Sequence, residues 1–390
     1  MLKQHIGFGL ALCVFASGAW AQSFVPGDAY LISTSLPRAV NGSEPGIVKI
    51  SPSNNWAVTR IYTGSEVSFG RATFDPFRGK IVVGAGSTST LTFIDAAGTL
   101  THLNIPRLGI AGNDVANRAA AAADGRIYFV RGATNTLAVL DGAGVVHEVL
   151  NQAGTAPEAV SNNTLTASYF SIATNTLIFA GTSGSNDTFE RITFTPNGFQ
   201  VVDRTSISTP MLPSAEIVTG MSEGPNGTVF VKSDDNSNDT LRRMRLLDPA
   251  TMTLSVFASS GYFGVAGEVA GAYVPVAGKS LVLDTLSDQL RTFTPGAAGA
   301  GTIVATSGVS SGGGSGELAQ IIVVPDLAPP CDPDVNQDGV ADQGDVDYLV
   351  NVVAGGANPT GIDPDFNQDG VSDQGDIDAL INVIAGGQCP

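Results

Sequence analysis

Ten side chains near the end of this 390-residue chain stand at the spacing that wraps a polypeptide around a hard cation. Asp334, Asn336, Asp338, Asp342 and Asp345 fall at positions 1, 3, 5, 9 and 12 of a loop, with the carbonyl of Val340 at position 7. Asp365, Asn367, Asp369, Asp373 and Asp376, with the carbonyl of Val371, repeat the set 31 residues later. All these donors are oxygens, which suits calcium. Gly339 and Gly370 occupy position 6, where the loop turns through a positive φ that a side chain resists. A merely acidic, solvated tail would have no reason to repeat one pattern in phase, so two calcium ions are expected here.

The residues after each loop supply the elements that hold it. Val346, Leu349, Val350 and Val353 are spaced i, i+3, i+4, i+7, and Ile377, Leu380, Ile381 and Ile384 share that phase. Each set makes the apolar stripe of a short helix ended by Gly355-Gly356 or Gly386-Gly387. Neither helix can bury its stripe alone, so the two copies should pack together. Pro329-Pro330-Cys331 lies too close upstream for an entering helix, which excludes a full EF-hand.

A loop followed by one helix, duplicated over residues 331–390 and carrying Asp at position 12, resembles a type I dockerin. The resemblance implies a calcium-dependent module that docks onto a cohesin-like protein, often in polysaccharide-degrading assemblies, with positions 10 and 11 helping to choose the partner. Those positions are Gln343-Gly344 and Gln374-Gly375, not the hydroxyl pair common in cellulosomal members, and the basic residues that often end the helices are missing. The calcium chemistry therefore carries over. The partner, a cohesin-like protein or a cell-surface component, does not.

Charge divides the chain in the same place. Residues 331–390 hold 12 Asp and no Lys, Arg, Glu or His, so 36 − 12 leaves 24 acidic against 19 basic residues elsewhere. No basic stripe is present and the net charge is −17, which excludes nucleic acid as a partner.

The start has the layout of a secretory signal over residues 1–21: Lys3, an apolar run from Ile6 to Trp20, and Ala19-Trp20-Ala21 as cleavage site. The run is too short to span a membrane. Leu12 before Cys13 does not suit a lipid-attachment site. Cleavage leaves Cys331 and Cys389, which bracket the calcium module. In a secreted chain a disulfide is the expected state, with a stabilisation of roughly 4 kcal/mol in the chain-entropy picture. A metal–thiolate pair is the alternative, but no His lies nearby and two ligands do not make a zinc site.

Residues 22–325 are rich in Gly, Ser, Thr, Ala and Val, and short β-branched runs alternate with turn clusters, so an all-β domain is expected. Lys80–Gly84 then Thr90–Asp95, and Arg126–Gly132 then Asn135–Asp141, are copies 46 residues apart. Looser copies run through Thr176–Phe179 with Ile192–Phe194, Gly227–Val231 with Arg245–Asp248, and Ser280–Leu283 with Leu290–Phe293. Such a period marks a β-propeller. Ala29–Ile32, Gly46–Ile50 and Val58–Tyr62 make a further unit without an innermost strand, while Leu318–Val324 follows the last unit unpaired. Joining the two closes the ring and removes exposed edges. Six blades are expected, with seven or a pair of β-sandwiches as alternatives. The pattern resembles NHL-type and gluconolactonase-type propellers in fold. The expected organisation is a mainly β propeller, a proline-set linker over 326–330, and a small helical calcium module.

Chemistry within the propeller is sparse. No HExxH or Walker sequence occurs, and His102 and His147 are one residue out of register between adjacent repeats, as outer-strand surface residues would be. The acidic stretches 185–188 and 234–240 suit hairpin tips, and the Gly/Ser tract 307–316 suits a loop. A lactonase-type site would draw on Glu, Asp and Asn at the central channel; which of Glu148, Glu190, Glu216, Glu223 and Glu268 could serve is open, so catalytic residues stay unassigned. Three functions are compatible with these residues: a secreted, non-catalytic propeller that binds a protein or glycan; a glycan- or lactone-active enzyme delivered by its dockerin-like module; and a structural envelope component.

Overall fold

The computed structural model describes residues 24–37, 43–64, 71–84, 90–105, 116–132, 134–160, 165–172, 174–183, 186–210, 216–235, 243–260, 268–284, 289–299, 301–306, 308–309, 319–325, 333–338, 340–362, 364–367 and 371–385. Leader residues 1–21, linker 326–330, Cys331, Cys389, Gly339, Asp369, Gly370 and most of the acidic and Gly/Ser tracts lie outside them. The chain forms two compact units, Met1–Pro325 and Asp326–Pro390.

The first unit is a six-bladed propeller. Blade one takes β1 (Ala29–Pro37), β2 (Ser43–Ser51) and β3 (Ala57–Thr63) from the start of the chain. Blade two is β4 (Arg71–Asp75), β5 (Lys80–Gly84), β6 (Thr90–Ile94) and β7 (Leu100–Asn104). Blade three is β8 (Ala116–Ala121), β9 (Ile127–Arg131), β10 (Leu137–Leu140) and β11 (Val146–Glu148). Blade four is β12 (Leu165–Ser171), β13 (Thr176–Ser183), β14 (Asn186–Phe194) and β15 (Val201–Pro210). Blade five is β16 (Glu216–Glu223), β17 (Val229–Asp235), β18 (Arg243–Asp248) and β19 (Thr253–Ser260). Its outer edge also carries β23 (Ala298–Gly299), in parallel. Blade six is β20 (Glu268–Val274), β21 (Lys279–Asp284), β22 (Gln289–Phe293) and β24 (Thr302–Ala305).

The last strand, β25 (Ala319–Val323), completes blade one. It pairs with β1 in antiparallel register from Ala29↔Val323 to Ser33↔Ala319. Two flanking bonds extend the seam, from Gly27 N to Val324 O and from Val324 N to Asp28 O, each 2.9 Å. The strand left over at the end of the chain fills the gap left at its start. Six separate sheets settle the blade number and exclude a pair of sandwiches.

Hydrophobicity assembles the ring one interface at a time. Between blades three and four lie Tyr128, Phe170 and Phe179, and between blades five and six lie Phe230, Phe257 and Val282. Each of the other four junctions has its own buried cluster. Middle strands are covered on both faces, which is why β9 and β10 are buried throughout and read as continuous apolar runs.

The second unit holds α1 (Gln343–Val353) and α2 (Gln374–Ile384). They share one core of Val335, Val346, Leu349, Phe366, Ile377 and Leu380, so the two copies do pack together. The expected stripe needs one correction. Val350 and Ile381 are 43% and 46% exposed, because two 11-residue helices meet along a narrow seam that takes i and i+3 but not i+4. Val335 and Phe366, at position 2 of each loop, bury the side chains that complete the core. Among the described residues no helix is long and apolar enough to cross a membrane.

Candidate functional site

The innermost strands β25, β4, β8, β12, β16 and β20 face one another around the ring, and polar side chains bridge five of the six junctions. The Gln320 amide donates to Ala72 O at 2.7 Å and accepts from Ala72 N at 2.6 Å, joining β25 to β4. Thr73 Oγ1 accepts from Ala121 N at 3.4 Å, and Ser168 Oγ donates to Arg118 O at 2.9 Å. Ser222 Oγ accepts from Tyr273 N at 2.9 Å. Between β12 and β16 the Tyr169 hydroxyl donates to Glu223 Oε2 at 2.5 Å.

That last pair lines a cavity of about 50 Å³ to which all six innermost strands contribute. Oε1 of Glu223 is buried without a hydrogen-bond partner. Burial raises the Glu223 carboxyl above its ordinary 4.5, against the lowering effect of the Tyr169 hydrogen bond. Burial, then the neighbouring Glu223 charge, pushes the Tyr169 phenol well above its ordinary value. A carboxylic acid of raised pKa beside a phenol can hold and transfer a proton. The space beside it, however, takes a few waters or a bare ion, since ligand pockets usually run to ~300–1,000 Å³.

The remaining candidates separate cleanly. His102 and His147 lie on the outermost strands β7 and β11; His102 Nδ1 is 3.1 Å from Thr92 Oγ1, and His147 Nε2 is 2.7 Å from Asp141 Oδ2 with its ring stacked on Phe199. Glu148 also stands on β11. Glu190 on β14 takes part in a rim network, where Arg204 donates to Glu190 Oε2 at 2.7 Å and to Glu158 Oε1 at 2.5 Å. Glu216 and Glu268 sit on innermost strands β16 and β20, with their side chains outside the described residues.

In the second unit the loop carboxylates are organised by backbone N–H groups. Asp338 N donates to Asp334 Oδ1 and Asn336 Oδ1 at 3.0 and 2.8 Å, and Val340 N donates to Asp338 Oδ1 at 3.0 Å. Asp342 caps α1 through Gly344 N at 2.7 Å. Asp345 is fully buried and accepts from Asn336 N at 3.0 Å and Asp342 N at 2.8 Å. The second loop repeats this: Asp376 is fully buried and accepts from Asn367 N at 2.9 Å and Asp373 N at 2.7 Å, while Asp373 accepts from Gly375 N at 2.7 Å. Asp365 Oδ1 is buried in that loop. The side chains of Val340 and Val371 are each 58% exposed, as expected where position 7 contributes backbone alone.

Position 11 shows why glycine stands there. A Cβ on Gly344 would lie 3.0 Å from Asp342 Oδ1 and 3.2 Å from Asn336 Nδ2; on Gly375 it would lie 3.0 Å from both Asn367 Nδ2 and Asp373 Oδ1. A side chain there fits only where the groups at positions 3 and 9 give way by a few tenths of an ångström. Each carboxylate oxygen that accepts one N–H keeps a second lone pair, so the set fits calcium in kind. Among the described residues no three His, Cys, Asp or Glu side chains form a ready ligand group. Asp334, Asp338, Asp342 and Asp345 of the first loop are all described and do not converge in this way, and Asp369 of the second set lies outside the described residues.

No protein-family model matches this chain, and no curated protein does. Solved structures are similar in fold. A chain of a nidogen/laminin complex is 9% identical over 77% of this chain and 100% of its own, with a TM-score of 0.48. A streptogramin B lyase is 12% identical over 68% and 84%, with a TM-score of 0.43. A catalytically inactive virginiamycin B lyase from Staphylococcus aureus is 13% identical over 68% and 81%, also at 0.43. Likeness at this level concerns the course of the strands and says nothing of chemistry.

Proposed function

We propose that this is a secreted calcium-binding protein, in which a non-catalytic propeller binds a protein or glycan and a dockerin-like unit attaches it to a partner. The observation that carries the reading is the pair Asp345 and Asp376. Each is 0% exposed, in a unit whose sequence contains no Lys, Arg or His. A buried carboxylate without a cation costs several kcal/mol, and backbone N–H groups offset only part of that. One calcium ion per loop supplies the missing charge. Asp334, Asn336, Asp338, Asp342, Asp345 and the Val340 carbonyl would hold the first ion; Asp365, Asn367, Asp369, Asp373, Asp376 and the Val371 carbonyl would hold the second. Val350 and Ile381, exposed at equivalent places on the two helices, offer apolar contacts to a partner such as a cohesin-like protein.

Calorimetry on residues 326–390 should give two calcium equivalents, and chelator should remove helical circular dichroism. Zero stoichiometry, or a helical signal indifferent to chelator, refutes the reading. The raised pKa of Glu223 favours one second reading, a glycan- or lactone-active enzyme using that carboxyl as general acid or base. The 50 Å³ space weighs against it. Turnover of any glycan or lactone that Glu223→Gln abolishes would establish the enzyme instead.

A further inference from the structure

A groove of about 440 Å³ runs along the rim where blade six meets blade one, between β24 and β3. Asn55, Trp56, Val58, Arg60, Val304 and Thr306 line it. Trp56 packs one side against the hydrophobic cluster shared by the two blades and is only partly buried. The rest of the indole belongs to the groove.

The backbone holds it there under strain. Asn55 and Trp56 take φ of 49° and 61° in succession, in the turn between the third and fourth strands. Asn tolerates that region, but for a bulky aromatic it is an outlier costing about 1–3 kcal/mol. Blades two, three and four place Gly98, Gly144 and Gly198 in the same turn with positive φ, and blade six places Gly301 there. Blade five uses Met252, which is 4% exposed and offsets the strain by filling the core. Trp56 has no such full burial. Its strained position presents an aromatic surface at the rim.

The neighbours define what would bind. Arg60 Nη1 pairs with Glu44 Oε1 at 2.5 Å, which fixes the guanidinium and neutralises its charge. Asn55 and Thr306 are exposed and offer an amide and a hydroxyl. A flat apolar platform ringed by oriented, locally neutral hydrogen-bonding groups suits a pyranose ring, whose C–H face stacks and whose hydroxyls both donate and accept. Anionic polymers are disfavoured because Arg60 is already paired with Glu44. The groove volume lies within the usual range for a ligand site of ~300–1,000 Å³.

We propose that this rim groove binds a neutral glycan, with Trp56 as stacking platform and Arg60 as a hydroxyl partner oriented by Glu44. The proposal rests on the binding-module reading and names its ligand class. The sequence has two tryptophans and the expected cleavage after Ala21 removes Trp20, so Trp56 is the sole reporter in the secreted chain. Cellohexaose, xylohexaose, mannohexaose and maltohexaose are titrated against its emission, with calorimetry alongside. At least one should give a saturable shift. Trp56→Ala should abolish calorimetric binding and Arg60→Gln should weaken it about tenfold or more, equivalent to about 1.4 kcal/mol. Trp56→Gly relieves the backbone strain and should lose binding while the protein still melts cooperatively. No saturable response to any of the four sugars, binding unchanged in Trp56→Ala, or Trp56-dependent capture of a protein without any sugar response would overturn the proposal. Two calcium equivalents on residues 326–390 alongside such a failure would remove the glycan assignment and leave the attachment reading standing.

Discussion

Stopping the chain after Pro325 keeps β25; stopping it before Glu317 deletes it, and the two proteins should behave very differently. The deleted strand carries Ile321 and Ile322, and Val324 follows it; they are 0%, 6% and 3% exposed. Burying an aliphatic side chain of this size is worth about 1.5–3 kcal/mol, so the three together contribute roughly 5–9 kcal/mol. Loss of the five-residue register with β1 and of the Gln320–Ala72 bridge adds to that and leaves β1 as an open edge. Against a typical total of about 5–15 kcal/mol, the shorter chain should be unfolded or aggregated. The longer one should melt in a single cooperative transition by scanning calorimetry. Ile321→Ala gives a graded version, with an expected loss of about 2–5 kcal/mol. If both truncations melt at the same temperature, the seam between β1 and β25 does not hold the ring.

Three further outcomes follow from the geometry. Asp338→Ala should abolish one calcium equivalent by calorimetry and leave the site containing Asp369 largely intact, since each loop carries its own ligand set. Burial raises the Glu223 carboxyl above 4.5, so the folded protein holds a proton that the unfolded chain releases; the associated stability is complete below that value and lost as pH rises through the folded pKa. Glu223→Gln should therefore flatten the fall in melting temperature between pH 4.5 and neutrality and raise it at pH 7, whereas an unchanged slope would discard this assignment. Protein recovered from an oxidising compartment should show no alkylatable thiol at Cys331 or Cys389 before reduction and two after it, by intact mass.

The ring closure was legible because an unpaired strand at one end and an incomplete blade at the other are both visible as patterns. The helical stripes were legible in phase but not in width: the sequence shows Val350 and Ile381 as apolar, and only the short seam between α1 and α2 leaves them outside. Val335 and Phe366 did carry a signal, an apolar residue at the same place in two otherwise polar loops. Glu223 carried none, because five glutamates look alike until β12 and β16 bring one of them against Tyr169. The left-handed Trp56 was equally hidden, since its turn lacks the glycine that marks the corresponding turns of other blades.

The seam between β1 and β25 also sets a clock. Leu31 pairs with Ile321, and 321 − 31 is 290 residues of chain. At about 5–20 residues per second, β1 waits roughly 15–60 s after synthesis before its partner exists. Throughout that interval blade one lacks its innermost strand, and β1 presents unpaired N–H and C=O groups to any passing strand. The propeller is thus a fold that its ribosome cannot finish until the last blade is out. Until Ala319–Val323 pairs with β1, the ring stays open at that seam.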